Sequence, residues 1–100
     1  MHIYNTTFGV DPAVLDEFTD WLRAEFIPAS TADGEYFTQP ELMRVHTDDP
    51  RAVSLALHMR AAQLDDINLW YEDHGSRLFA HIQNHWQGRV VYFSTTLTLI

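Results

Sequence analysis

The chain has 100 residues, 46% of them apolar, and fourteen Asp and Glu oppose six Arg with no Lys, a formal net charge of −8. That length suits one folding unit over residues 1–100, no apolar run approaches the ~20 residues of a membrane-crossing helix, and so acidic a surface repels phosphate backbones and anionic lipid, so neither nucleic acid nor membrane is an expected partner. Without cysteine there is no disulfide, thiolate metal site or thiol nucleophile, and Met1-His2-Ile3-Tyr4 carries no leader pattern, so a cytoplasmic home is expected.

Residues 2–10 alternate and are rich in β-branched and aromatic types, which predicts a half-buried strand. Asp11-Pro12 is an N-cap followed by the one helical position where proline is at home. Leu15, Phe18, Leu22 and Phe26 then form one apolar helical stripe. Pro28 biases Ile27 away from the helical region, which predicts the helix end there. Residues 29–34 are small and polar and read as loop. Tyr36 to His46 reads as a second strand, and Pro40 within it argues for an edge strand with a bulge. Asp48-Asp49-Pro50 is turn chemistry, and it leads into Val53, Leu55, Leu57 and Met59, the clearest alternation in the chain. A second helix is predicted from about Gln63 to Trp86, with Leu64, Ile67, Tyr71, Leu78, Ile82 and Trp86 toward one side. Asp65 and Asp66 suit its first turn and Gly88 its stop, while Gly75 is expected to kink or split it. The last strand runs from Val90 to Ile100.

This order predicts an α+β, ferredoxin-like β-α-β-β-α-β sandwich whose antiparallel sheet has the strand order 4-1-3-2 and both helices on one face. It makes the Pro40 strand an edge, as the proline requires. With Tyr4, Phe8, Val10, Val53, Leu55, Leu57, Phe93 and Leu97 turned to the helices, the other face would carry Ile3, Asn5, Thr7, Leu42, Arg44, His46, Ser54, Ala56, His58 and Tyr92 with Ser94, Thr96 and Thr98. Such a mixed face predicts a homodimer closed through the sheets about a two-fold axis, with a partly polar interior.

The opening I-Y-N-T-T-F-G-V-D, the F-I-P near the end of the first helix, W-Y-E-D-H in the second and the closing F-S-T-T-L-T-L-I resemble a small bacterial family of unknown function. Its members begin with an I-Y-N-V-T-type run and belong to the dimeric α+β barrel superfamily. Phe26 stands where that family commonly has His before Ile-Pro, and Gly75-Ser76 stand where Ala-Pro follows the helix histidine. The resemblance implies a dimeric barrel and no established activity. The superfamily also contains cofactor-less oxygenases, haem-degrading oxygenases and isomerases, and Asn5, Trp70 and His81 look like the trio with which haem-degrading members hold haem.

The residues themselves favour Asn5, Arg44, His58 and Tyr92 as a small-molecule site, because all four are expected on the barrel interior. His58 is suited to proton transfer near neutral pH, Arg44 to clamping a carboxylate, and Asn5 and Tyr92 to orienting a ligand. The same four could instead pair with one another across the dimer. His74, His81 and His85 line one helix flank without a third ligand at metal-site spacing, so neither metal nor cofactor is expected. The reading is therefore a homodimeric small-molecule-binding or non-catalytic structural protein. The alternative is a cofactor-less or haem-using oxygenase or isomerase of the barrel type.

Overall fold

β1 (His2–Val10) occupies the middle of the molecule because a helical layer takes up every second side chain on it. Tyr4, Thr6, Phe8 and Val10 are buried, whereas Ile3, Asn5 and Thr7 on the opposite face are only half-buried. The computed structural model describes all of residues 1–100. After β1, the Asp11 side chain accepts the Ala13 N–H at 2.9 Å and Pro12 opens a short turn, as an N-cap should. Helix α1 (residues 15–31) then joins Leu15–Trp21, a π-helical turn at Leu22–Phe26, and Ile27–Thr31.

The expected helix end before Pro28 is therefore corrected: α1 runs on past it. The wide turn explains how. Ile27 donates to the carbonyl of Leu22, five residues back, and keeps helical angles of φ −66° and ψ −49°. Proline in a regular helix clashes with the carbonyl one turn earlier, and a turn with one extra residue moves that carbonyl aside.

β2 (Thr38–Val45) and β3 (Val53–Ala61) form the hairpin, with Asp49 and Arg51 closing the turn through a 3.1 Å ion pair. Helix α2 (residues 64–85) starts with a capping box in which the Gln63 side chain and Asp66 exchange bonds with each other's backbone. It contains Leu64–Trp70, a second π-helical turn at Tyr71–Gly75, and Ser76–His85. Gly75 does not split the helix. It makes room, since a Cβ there would stand 2.7 Å from the Trp70 ring. The buried stripe lies on Ile67, Trp70, Leu78, Phe79 and Ile82, while Leu64 and Tyr71, expected on that side, are about half exposed. β4 (Val90–Thr98) follows Gly88, whose φ of 75° turns the chain.

The sheet is antiparallel with the order β2-β3-β1-β4, as expected, and the Pro40 strand is an edge with a register shift between Thr38 and Glu41. Both helices lie on one face. Between them and the sheet the core is mainly aromatic: Phe8 meets Phe18 and Phe26, and Trp70 meets Tyr4, Phe26, Phe37 and Phe79, all with ring centroids 5.0–6.1 Å apart. The Trp70 N–H is satisfied inside this layer, donating at 3.1 Å to Ser30 Oγ, which in turn donates to the Phe26 carbonyl at 2.7 Å.

Candidate functional site

The bare face of the sheet is built by the odd-numbered residues of β1 and their cross-strand partners. Asn5 stands opposite His58 on one side and Thr95 on the other, and His58 stands opposite Glu41. One polar row, Glu41–His58–Asn5–Thr95, thus crosses all four strands. Mostly apolar side chains bracket it. On one side lie Met43, Ala56, Thr7 and Phe93, and on the other Thr38, Arg60, Ile3 and Leu97. Phe93 and Val91 are 61% and 65% exposed, values at which a core residue would be out of place. Within the row, the Asn5 amide nitrogen donates to Thr7 Oγ1 at 3.3 Å, whereas its oxygen is buried and has no partner.

Of the four residues expected on this face, Asn5 and His58 are on it, side by side. Arg44 and Tyr92 are on the other. Arg44 pairs with Leu55, whose side chain points to the helices. It therefore lies on the helix side of an edge strand that the helices do not reach, in a depression of about 160 Å³ shared with His46, Thr47 and Asp49. The cause is the bulge: Gln39 takes φ 51° and the extra residue reverses the alternation between buried Phe37 and half-buried Leu42.

Tyr92 is likewise turned inward. It pairs with Phe8, stacks on Phe79 at 4.6 Å and accepts a 2.9 Å hydrogen bond from Gln83. Burial raises its phenol pKa above the usual value, and the neighbouring Tyr71 adds to the rise. With Tyr92 go Ser94, Thr96 and Thr98, while Phe93 and Leu97, expected in the core, face outward. Leu42 and His46 follow Arg44 to the helix side in the same way.

Asn5, Trp70 and His81 are not brought together. Asn5 is on the bare face and Trp70 deep on the other. His81 is on the outer flank of α2, stacked 4.9 Å from Trp21. Of the flank histidines, only His74 stands apart. His81 and His85 stack on each other at 5.4 Å, His85 Nε2 meets Glu17 Oε1 at 2.8 Å, and His74 sits beside Tyr36 at 6.0 Å. Glu17 also accepts the Trp86 N–H at 3.1 Å, so it ties α1 to the end of α2, a role its position in the sequence did not signal. Glu41 and Thr95 were missed too, although cross-strand pairing of the period-2 pattern would have placed them once the edge registers were known.

None of the four surface depressions is lined by Tyr4, Phe8, Phe26, Phe37, Trp70 or Phe79. One of them, about 420 Å³, is an open groove between α1 and α2 bordered by Trp21, Glu25, Arg77, Leu78 and His81.

Two helices covering one face of a four-stranded antiparallel sheet in this order define a ferredoxin-like α+β protein, with the other face left bare. More narrowly, the chain belongs to the family described as Domain of unknown function (DUF4286), which matches residues 1–100. The resemblance read from the sequence, to a family of unknown function with this fold, holds. No protein of curated function matches the sequence.

Among solved structures, a proposed antibiotic biosynthesis monooxygenase from Deinococcus radiodurans is 12% identical with a TM-score of 0.72, over 100% of this chain and 93% of that one. A dimeric ferredoxin-like protein from an uncultured marine organism is 8% identical with a TM-score of 0.68, over 99% and 94%. A variant of MhuD with two manganese protoporphyrin IX molecules bound per active site is 12% identical with a TM-score of 0.62, over 98% and 94%. At these identities the likeness is one of fold.

Proposed function

We propose that this chain acts as a cytoplasmic homodimer, closed through the bare sheet faces, whose role is binding or scaffolding rather than catalysis. The observation that carries the reading is the division of charge and apolar surface between the two sides. The helices and their flanking turns, residues 11–37 and 62–89, hold eleven acids against three arginines, so all of the net −8 lies there. The strands and the hairpin hold three acids and three arginines and sum to zero. Helical sides would repel one another, while the neutral sheet face offers Met43, Val45, Val91, Phe93 and Leu97, each 38–65% exposed, for burial.

The size is close to what a dimer needs. Four strands about 4.8 Å apart and eight or nine residues long at about 3.3 Å each give a face of roughly 550 Å². Two such faces approach the ~1,200 Å² at which stable interfaces begin. The likeness of fold to a dimeric ferredoxin-like protein supports a dimer.

Asn5 and His58 are the residues left to contact any small molecule held between the sheets; Arg44 and Tyr92 leave that site. The competing reading, a cofactor-less or haem-using oxygenase or isomerase, draws on the likeness to the monooxygenase and the porphyrin-bound protein. Against it stands the aromatic filling between sheet and helices, and the separation of Asn5, Trp70 and His81. Sedimentation equilibrium tests the proposal. Wild type is expected to be a dimer at micromolar concentration and Phe93→Asp a folded monomer. A monomeric wild type would overturn it.

A further inference from the structure

The bare face carries more information than its area, because its polar row is laid out in a definite order across the strands. A two-fold axis that lays this face on its copy must lie in the plane between the two sheets. Aligned sheets keep their strands within about 30° of each other. Two settings of the axis then bring the polar row onto its copy, one along the strands and one across them.

With the strand order β2-β3-β1-β4, an axis along the strands at the centre of the sheet falls between β3 and β1. It exchanges β1 with β3 and β2 with β4. By the observed register, His58 is then set opposite the partner's Asn5, Glu41 opposite the partner's Thr95, and Met43 opposite the partner's Phe93. An axis across the strands, along the row, sets each residue on itself. Glu41 then meets the partner's Glu41 and His58 the partner's His58. Both settings lay the polar row on its copy and both leave Arg60 opposite an apolar residue, the partner's Ile3 along the strands or the partner's Ala56 across them, so the carboxylates in the row decide. Two carboxylates facing each other amid apolar side chains oppose association, whereas a carboxylate facing a hydroxyl favours it.

Resting on the homodimer reading above, we propose that the two-fold axis of this protein runs along the strands between β1 and β3. Each His58 then stands opposite the partner's Asn5, and each Thr95 hydroxyl serves the partner's Glu41 carboxylate. This pairing gives the row a purpose. Apolar slabs alone can slide past one another, and a buried polar group with a single matching partner fixes the register.

The test is a charge swap read by sedimentation equilibrium, with thermal melting as the control for folding. Both positions are exposed in the single chain, so the variants are expected to fold. Thr95→Glu puts a carboxylate opposite the partner's Glu41 and is expected to raise the dimer dissociation constant about tenfold or more. Adding Glu41→Arg restores an opposite-charge pair and is expected to bring the constant back to within about threefold of wild type. Glu41 and Thr95 of one chain lie on opposite edge strands, about 14 Å apart, so the rescue cannot arise within one copy. A double variant as weak as Thr95→Glu alone, beside a dimeric wild type, overturns this axis and leaves the dimer standing. A wild type that is itself monomeric removes the dimer, and the axis with it.

Discussion

The two faces of this sheet use the same four strands and follow opposite rules. On the helix side, space is filled ring against ring, the Trp70 indole and the Ser30 hydroxyl have named partners, and even a glycine is chosen for what its absent Cβ would strike. On the bare side, large apolar residues stand half in water around a row of polar ones, and one buried amide oxygen has nothing to bond. A substitution should therefore be felt as lost folding stability on the first face and as lost association on the second.

The largest expected effect is Trp70→Ala. It empties the centre of the aromatic layer and leaves Ser30 Oγ without its donor, which should cost about 3–5 kcal/mol. Thermal unfolding of a chain this size should then fall by more than about 12 °C. Gly75→Ala should follow. Alanine gains about 1 kcal/mol in helix propensity, but its Cβ overpacks against a Trp70 ring that Tyr4, Phe37 and Phe79 hold in place, at about 1–3 kcal/mol. A melt above that of wild type would show that the indole is free to move and that the layer is looser than its contacts indicate.

Alkaline pH should act more weakly on the same face. Burial raises the phenol pKa of Tyr4 and of Tyr92 above its usual value of 10.0. A raised folded-state pKa means that the stabilisation is fully present below pH 10 and is lost as the pH rises through the folded value. A melting temperature that holds to about pH 10 and then declines, with a smaller decline in Tyr92→Phe, is expected.

Phe93→Asp should shift the intrinsic stability of the single chain by less than about 0.5 kcal/mol while removing the dimer, in contrast to every change on the covered face. Smallest of all is Arg44→Ala, an exposed edge-strand residue on the helix side. It should leave both melting and association unchanged within about 0.5 kcal/mol, and a weakened dimer would place Arg44 in the interface after all.

How far each strand could be read follows from how fully the helices cover it. On the central strands β1 and β3 one face is wholly covered, so burial alternates cleanly. Tyr4, Phe8, Leu55 and Leu57 were placed correctly there, and so were Asn5 and His58 opposite them. The edge strands are covered only in part, and both were read one residue out of phase. On β4, Val91 and Phe93 are as apolar as Val90 and Tyr92, so composition does not choose between its faces. On β2, the positive φ at Gln39 reverses the alternation inside the strand. A one-residue slip moves a whole strand's side chains to the other face, which is how Arg44 and Tyr92 came to be expected beside Asn5. Helix α1 was misread at Pro28 for a related reason: nothing in the residue types announces a π-turn.

Those two π-turns bear on how the chain can vary in length. A π-turn is an α-turn holding one residue too many, and both helices have one, at Leu22–Phe26 and at Tyr71–Gly75. Removing a single residue from an α-helix rotates everything beyond it by about 100° and drags its buried stripe off the core. Removing one from the Tyr71–Gly75 turn should instead let the backbone close to a regular helix, with the following stripe still facing the sheet, whereas in the first helix Pro28 needs the wide turn. An exposed position such as Glu72 is thus a place where the second helix should tolerate a deletion, and relatives lacking the extra residue should align with a one-residue gap there.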